Sequence, residues 1–293
     1  MNNVKGLLFA IVSSATFGLV PLFSIPLLKA GVGTPTILFY RMGIAALLMG
    51  LIARGTHRRL KIGFKDMMIF LALGGLYAAT SLWLLMSYEF IPSGMATTIH
   101  FLYPLVVTLV MILFFREKCS LWLIVAAVLS VAGVALLSWG EEDSSATFRG
   151  ISMVLVTVVT YACYIVGVNK TRVVRMDSVV LTFYVLLSAA TMFLVYAATT
   201  TGIERLPSFR LAGDALLLAL LPTVVSNLAL VLAVKNIGST MTAILGSMEP
   251  LTAILVGVFY FGETFGTLSA AGLCLIVTAV IIVILHSKSR TAK

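Results

Sequence analysis

A chain of 293 residues that is 60% hydrophobic and only 11% charged, with a mean hydropathy of +1.11, is too apolar to be a soluble domain. Its class is a protein of the lipid bilayer. The net charge of +9 then reads as a matter of how the connecting loops are sided, and it gives no reason to expect nucleic acid as a partner.

The apolar residues fall into ten runs of roughly 20, the length at which a helix rising 1.5 Å per residue crosses a hydrocarbon layer of about 30 Å. These predict helical spans over 6–28, 35–53, 67–88, 94–115 and 121–139, then 150–168, 179–198, 215–234, 239–261 and 267–286. Barrel strands are about ten residues long and alternate polar with apolar, so length decides for helices. The first run has a basic start like a signal peptide, but it is long and lacks a convincing small-x-small cleavage site, so it is expected to be a retained span.

Basic residues orient the spans. With the N-terminus inside, fifteen of the twenty Lys and Arg residues fall on the cytoplasmic side, among them Arg54, Arg58, Arg59, Lys61, Lys118, Lys170, Arg172, Lys235, Lys288, Arg290 and Lys293. Lys29, Arg149, Arg205 and Arg210 fall outside, and Arg41 lies within span 2. Both termini are expected in the cytoplasm.

The chain also repeats itself. Residues 91–117, IPSGMATTIHFLYPLVVTLVMILFFRE, return at 237–263 as IGSTMTAILGSMEPLTAILVGVFYFGE, with nine identities in twenty-seven places and no gap. At an offset of 144, KGLLFAIVSSATFG (5–18) meets RGISMVLVTVVTYA (149–162), and Phe39 and Tyr40 meet Phe183 and Tyr184; at 146, Pro104 and Glu117 meet Pro250 and Glu263. Two inserted residues separate these registers. Five spans per half is odd, so the second half enters the membrane from the opposite face. The expected architecture is an all-α integral membrane protein of two inverted five-helix repeats, 1–139 and 150–287. Inverted halves can exchange conformations and present one central site to each side in turn, which is how secondary transporters work.

Ten short spans in two five-span halves, the Glu249–Pro250 dipeptide and the apolar run ending in Gly262 and Glu263 resemble the drug/metabolite transporter superfamily, EamA type. The resemblance covers nearly the whole chain. It implies a carrier in the bacterial inner membrane, most often an exporter of amino acids or other small metabolites, with a cavity lined by spans 1–4 and 6–9 and with spans 5 and 10 as peripheral supports. The family also holds importers and carriers of sugars and quaternary amines. The first half departs from the second at Tyr103, where the second has Glu249, and at Arg116, where it has Gly262.

Charges inside spans cost about 2.5–3.5 kcal/mol on insertion scales and need a reason to be there. Glu249 lies about 15 Å from the cytoplasmic end of span 9. It is a candidate proton-binding carboxylate or counter-ion for a substrate ammonium, or else a carboxylate bonded to backbone loosened at Pro250. Arg41, about 10 Å below the outer end of span 2, can hold a carboxylate through two parallel hydrogen bonds or snorkel to the interface. Together they would suit a zwitterion such as an amino acid.

His100 in span 4 is a weaker candidate, since a lone His on an apolar helix is usually satisfied by a neighbour. Tyr40, Trp83, Tyr103 and Tyr161 can stack on a substrate, although packing accounts for most such rings. Asn227 can bond a ligand or a neighbouring helix. Pro104 and Pro250, in matching places, are expected to kink spans 4 and 9 and act as hinges, and Pro21, Pro26 and Pro222 can open spans 1 and 8. Glu117 and Glu263 are read as structural groups at helix starts. Small residues in span 5 (Ala126, Ala127, Ser130, Gly133) and span 10 (Ala270, Ala271, Gly272) allow close helix contact, within a monomer or across a homodimer.

No GxxxxGK[ST] loop is present, so ATP is not expected to drive the chain directly. Cys119, Cys163 and Cys274 are odd in number and lack His at ligand spacing, so neither disulfide nor metal site is expected, and no cofactor. An intramembrane enzyme acting on lipid-linked substrates is the rival class; the nearest thing to its reactive cluster, His57 with Arg58 and Arg59, reads better as a positive loop. A proton is a possible coupling ion.

Overall fold

A computed structural model describes residues 3–91, 93–116, 120–137, 148–200 and 202–252, with scattered residues between 255 and 282. Glu117, Glu263, Lys118, Cys119, Lys288, Arg290 and Lys293 lie outside the described residues. All regular structure among the described residues is helical. Six helical runs are long and apolar enough to cross a membrane: Val4–Lys29, Thr34–Gly55, Phe64–Ser87, Phe148–Lys170, Ser178–Thr199 and Phe209–Leu245. Shorter apolar helices accompany them, Tyr103–Phe115, Ile124–Gly133 and Ala270–Ala279.

In chain order the helices are α1 (Asn3–Phe17), α2 (Val20–Lys29), α3 (Thr34–Gly55), α4 (Phe64–Ser87), α5 (Ser93–His100), α6 (Tyr103–Phe115), α7 (Leu121–Leu137), α8 (Phe148–Lys170), α9 (Ser178–Thr199), α10 (Phe209–Ala219) and α11 (Ser226–Leu245). Three runs read as continuous spans in the sequence are interrupted. Span 1 breaks at Gly18 and Leu19, span 4 at Phe101 and Leu102, and span 9 at Gly246 and Ser247. The prolines explain this better as starts than as kinks. Pro21 and Pro104 each sit in the first turn of the second segment, where a missing N–H costs nothing, and Pro250 follows closely on the third break.

The run Phe209–Leu245 is a hairpin rather than one long helix. Gly238 has φ 80° and ψ 170°, outside the helical region and open to glycine at little cost. Ser13 Oγ donates to the Ser226 carbonyl at 2.9 Å and Ser14 Oγ to the Leu245 carbonyl at 3.1 Å, while Gly6 lies against Asn236 and Ile237. Residues 226 and 245 are therefore level, with 236–238 at the tip.

The halves are related by a two-fold that inverts them. Gly6 of α1 approaches Ile237 and Asn236 so closely that an added Cβ would sit 2.5 and 2.7 Å from their side chains. Gly150 of α8 approaches Ile91 and Phe90 in the same way, at 2.8 and 3.0 Å, at the opposite end of the bundle. Similarly, the Tyr40 hydroxyl donates to the Glu204 carbonyl at 3.1 Å, and the Tyr184 hydroxyl donates to that of Leu60. Each pair is the other displaced by the repeat offset.

The connectors that the basic residues put on one side do meet at one end. Arg58 pairs with Asp177 at 2.6 Å, Arg172 with Asp66 at 2.8 Å, and Lys235 donates to the Met176 carbonyl. The other end holds Arg149 over the Phe90 ring and Gly33 bonded to Glu204.

The two inserted residues of the second half can also be located. Gly63 caps α4 and Ser208, 145 residues on, caps α10, so one extra residue lies in the connector before it. The second is absorbed by a single π turn, Leu220–Val225, between α10 and α11. Ala126 and Ala127 of α7 are buried in one apolar cluster with Leu7, Ala10 and Leu245, so this small-residue face is used inside the chain.

Candidate functional site

The breaks in spans 4 and 9 bring two helix starts together in the middle of the bundle. Tyr103 opens α6, and its hydroxyl fills the space a side chain would need at Gly246, 1.7 Å from where a Cβ would stand. Glu249 follows that break and is 4% exposed. Its backbone carbonyl lies against the break in span 1, where a Cβ on Gly18 would be 2.4 Å away. Three interrupted helices thus converge around one carboxylate.

Arg41 does not snorkel. Its side chain is 3% exposed, its Nε donates to Thr223 Oγ1 at 2.8 Å, and its guanidinium carbon lies 5.7 Å from the centre of the Phe17 ring. Thr223 belongs to the π turn, and its own proton goes to the Leu218 carbonyl five residues back, at 2.8 Å. The π turn that absorbs the insertion therefore supplies the oxygen that holds Arg41. Arg41 Nη2 is buried without a partner, and Arg41 and Glu249 interact electrostatically without forming an ion pair. Arg41 thus leaves a donor unused in the same buried interior as a carboxylate, where an uncompensated charge is costly.

Aromatic side chains surround these groups. Tyr161 packs edge-on to Tyr103 with ring centres 4.8 Å apart, stacks on Phe17 at 5.9 Å and meets His100 at 5.2 Å. Phe17 and Tyr161 are equivalent in the two halves, so their contact marks the two-fold axis. His100, fully buried, bonds Thr157 through Nδ1 at 2.7 Å, and the Thr157 hydroxyl also reaches the Val154 carbonyl at 2.6 Å. His100 Nε2 is buried without a partner. Asn227 donates to the Tyr77 hydroxyl at 2.7 Å and the Thr223 carbonyl at 3.0 Å, and its Oδ1 accepts from Tyr164 at 3.3 Å.

Of the sequence candidates, Glu249, Arg41, His100, Tyr103, Tyr161 and Asn227 gather at this centre. Tyr40 instead spends its hydroxyl on Glu204 in a connector, and Trp83 is half-buried on α4 with no ring contact among the described residues. Sequence reasoning passed over Phe17, Tyr77, Thr157 and Thr223. Phe17 was within reach, because it aligns with Tyr161; Thr223 was not, because only the π turn aims it at Arg41.

Residues 4–139 and 148–285 each match the family model described as EamA-like transporter family. A solved structure titled "Crystal structure of protein" is similar, with a TM-score of 0.80 at 15% identity, over 98% of this chain and 97% of that chain. At that identity the likeness concerns the fold alone. No curated protein matches the chain.

Proposed function

Because the chain belongs to the EamA-like transporter family, and so is a multi-pass membrane transporter of the drug/metabolite type with a small-molecule substrate, we propose that it moves an amino acid or a related zwitterion. We read the direction as export across the bacterial inner membrane, through ten spans with both termini in the cytoplasm. The carrying observation is the separated, buried pair of Arg41 and Glu249 beside three helix breaks. In this reading Arg41 Nη2 takes the substrate carboxylate and Glu249 its ammonium, and residues 1–139 and 150–287 rock against one another about the axis marked by Phe17 and Tyr161.

Proton coupling follows from the same arrangement. A carboxylate that exchanges its proton for a substrate ammonium lets one site bind either, but not both, which is the logic of antiport. The chain in this reading is a carrier and not an enzyme. Counterflow of amino acids, amines and sugars in proteoliposomes, with and without a pH gradient, is the test. Saturable amino-acid counterflow supports the proposal, and chemically altered product would overturn it.

One second reading has an observation of its own. Phe17, Tyr103 and Tyr161 crowd the centre that holds Glu249, and aromatic faces with one carboxylate also suit a quaternary amine. Counterflow of such an amine that survives Arg41→Gln would favour it over the zwitterion.

A further inference from the structure

Away from the central site, α3 and α9 part around a lipid-facing groove of 470 Å³. The repeat pairs its walls: Phe39 with Phe183, Gly43 with Leu187, and Gly50 with Leu194. Leu47 and Leu51 along it are 64% and 58% exposed, so the groove is open to the side. From Phe39 to Arg54 it follows α3 for about 22 Å, at 1.5 Å per residue.

Its two ends differ in charge. Arg54, in the last turn of α3, lines one end, is exposed, and has no ion pair among the described residues, whereas nearby Arg58 is held by Asp177 at 2.6 Å. The equivalent position in the other half, 144 residues on, is Ala198. The apolar walls respect the two-fold, and the cation at the end does not.

We infer that this groove binds one phospholipid with an anionic headgroup, its acyl chain lying along the α3–α9 seam and its phosphate on Arg54. A guanidinium offers parallel donors to phosphate oxygens, and Gly43 leaves the seam open, whereas the Phe183 ring lies over Gly50. Arg59 and Lys61 in the same connector add to the positive potential there. A second copy of the chain is a poorer occupant, because a symmetric contact through this face would bring two Arg54 side chains together. That the lipid belongs to the cytoplasmic leaflet rests on the orientation proposed above; the binding itself does not.

Native mass spectrometry of the full chain, titrated with phosphatidylglycerol and with phosphatidylcholine of the same acyl chains, tests this. Phosphatidylglycerol should bind about fivefold more tightly, and Arg54→Gln should remove that preference. Gly43→Leu should weaken both lipids, since a Cβ there meets nothing nearer than Phe39 at 3.8 Å and so extends into the groove without a clash. Unchanged melting temperatures for both variants confirm folding. Equal binding of the two lipids by the unaltered chain, or no effect of either substitution, overturns the inference. So does a lipid-free dimer that Gly43→Leu dissociates. Thiol labelling of a His57→Cys variant, made after replacing the native cysteines by Ser, reports orientation separately: labelling from the periplasmic side would move the lipid to the other leaflet and leave its binding standing.

Discussion

The periphery of this bundle obeys its internal two-fold and the centre does not. Gly6 and Gly150 make the same close approach at opposite ends, and Tyr40 and Tyr184 tie equivalent connectors. At the centre the equivalences fail: Arg41 stands opposite Val185, His100 opposite Gly246, Tyr103 opposite Glu249, and Asn227 opposite Ser81. A symmetric frame lets two conformations have similar energies, as alternating access needs. An asymmetric centre is what lets one site distinguish the two ends of a ligand.

The sharpest way to break this contrast is to make the centre neutral while leaving the frame alone. Glu249→Gln should reduce counterflow to background and remove its response to a pH gradient, with the melting temperature unchanged or raised, because a buried carboxylate is replaced by a neutral group of similar shape. Unaltered flux across pH in reconstituted vesicles would remove Glu249 from the mechanism. Thr223→Val comes next. It strips Arg41 of its hydrogen-bond partner at 2.8 Å, and a hydrogen bond to a charged group is worth about 1.5–3 kcal/mol, so apparent affinity for a carboxylate substrate should fall roughly tenfold or more. Esterified substrate, which has no carboxylate to offer, should be indifferent to the change.

These two residues also mark how far the sequence could be read. Glu249 was legible because a charge in an apolar run is expensive and because the repeat shows Tyr103 in its place. The two repeats were legible from the near-constant offset between matching segments. The breaks in spans 1, 4 and 9 were not, since apolar periodicity continues straight through them and proline alone does not say whether a helix bends or begins again. Thr223 was invisible for a similar reason: one inserted residue shifts the register, yet only its accommodation as a π turn turns that hydroxyl toward Arg41. The bond from Tyr40 to the Glu204 carbonyl was not legible either, because an aromatic in a span looks the same whether its hydroxyl meets a ligand or a connector.

Steric tests probe where frame and centre join. Gly246→Ala places a methyl where the Tyr103 hydroxyl lies, and Gly18→Ala places one against the Glu249 carbonyl. At Gly18 the obstacle is backbone, whereas at Gly246 the nearest is the tip of a side chain that can turn away, with the Ala243 carbonyl 2.7 Å off as well. Overpacking costs about 1–3 kcal/mol, so both variants should lower the melting temperature, and Gly246→Ala should lower flux further by displacing Tyr103. Equal flux in the two variants at equal thermal loss would mean that Tyr103 belongs to the frame.

The smallest expected effect is also the cleanest test of the two-fold. Tyr40→Phe and Tyr184→Phe each remove one hydroxyl and leave the ring, and the lost bonds run to Glu204 at one end and Leu60 at the other. A bond of this kind contributes about 1 kcal/mol net, so each variant should melt slightly earlier, by similar amounts, and the double variant should show the sum, because the sites are far apart and share no partner. If Tyr40 served only the frame, its loss would leave substrate affinity where it was. A change in affinity for Tyr40→Phe without one for Tyr184→Phe would move Tyr40 from the symmetric periphery into the asymmetric centre, and with it the outer boundary of the site.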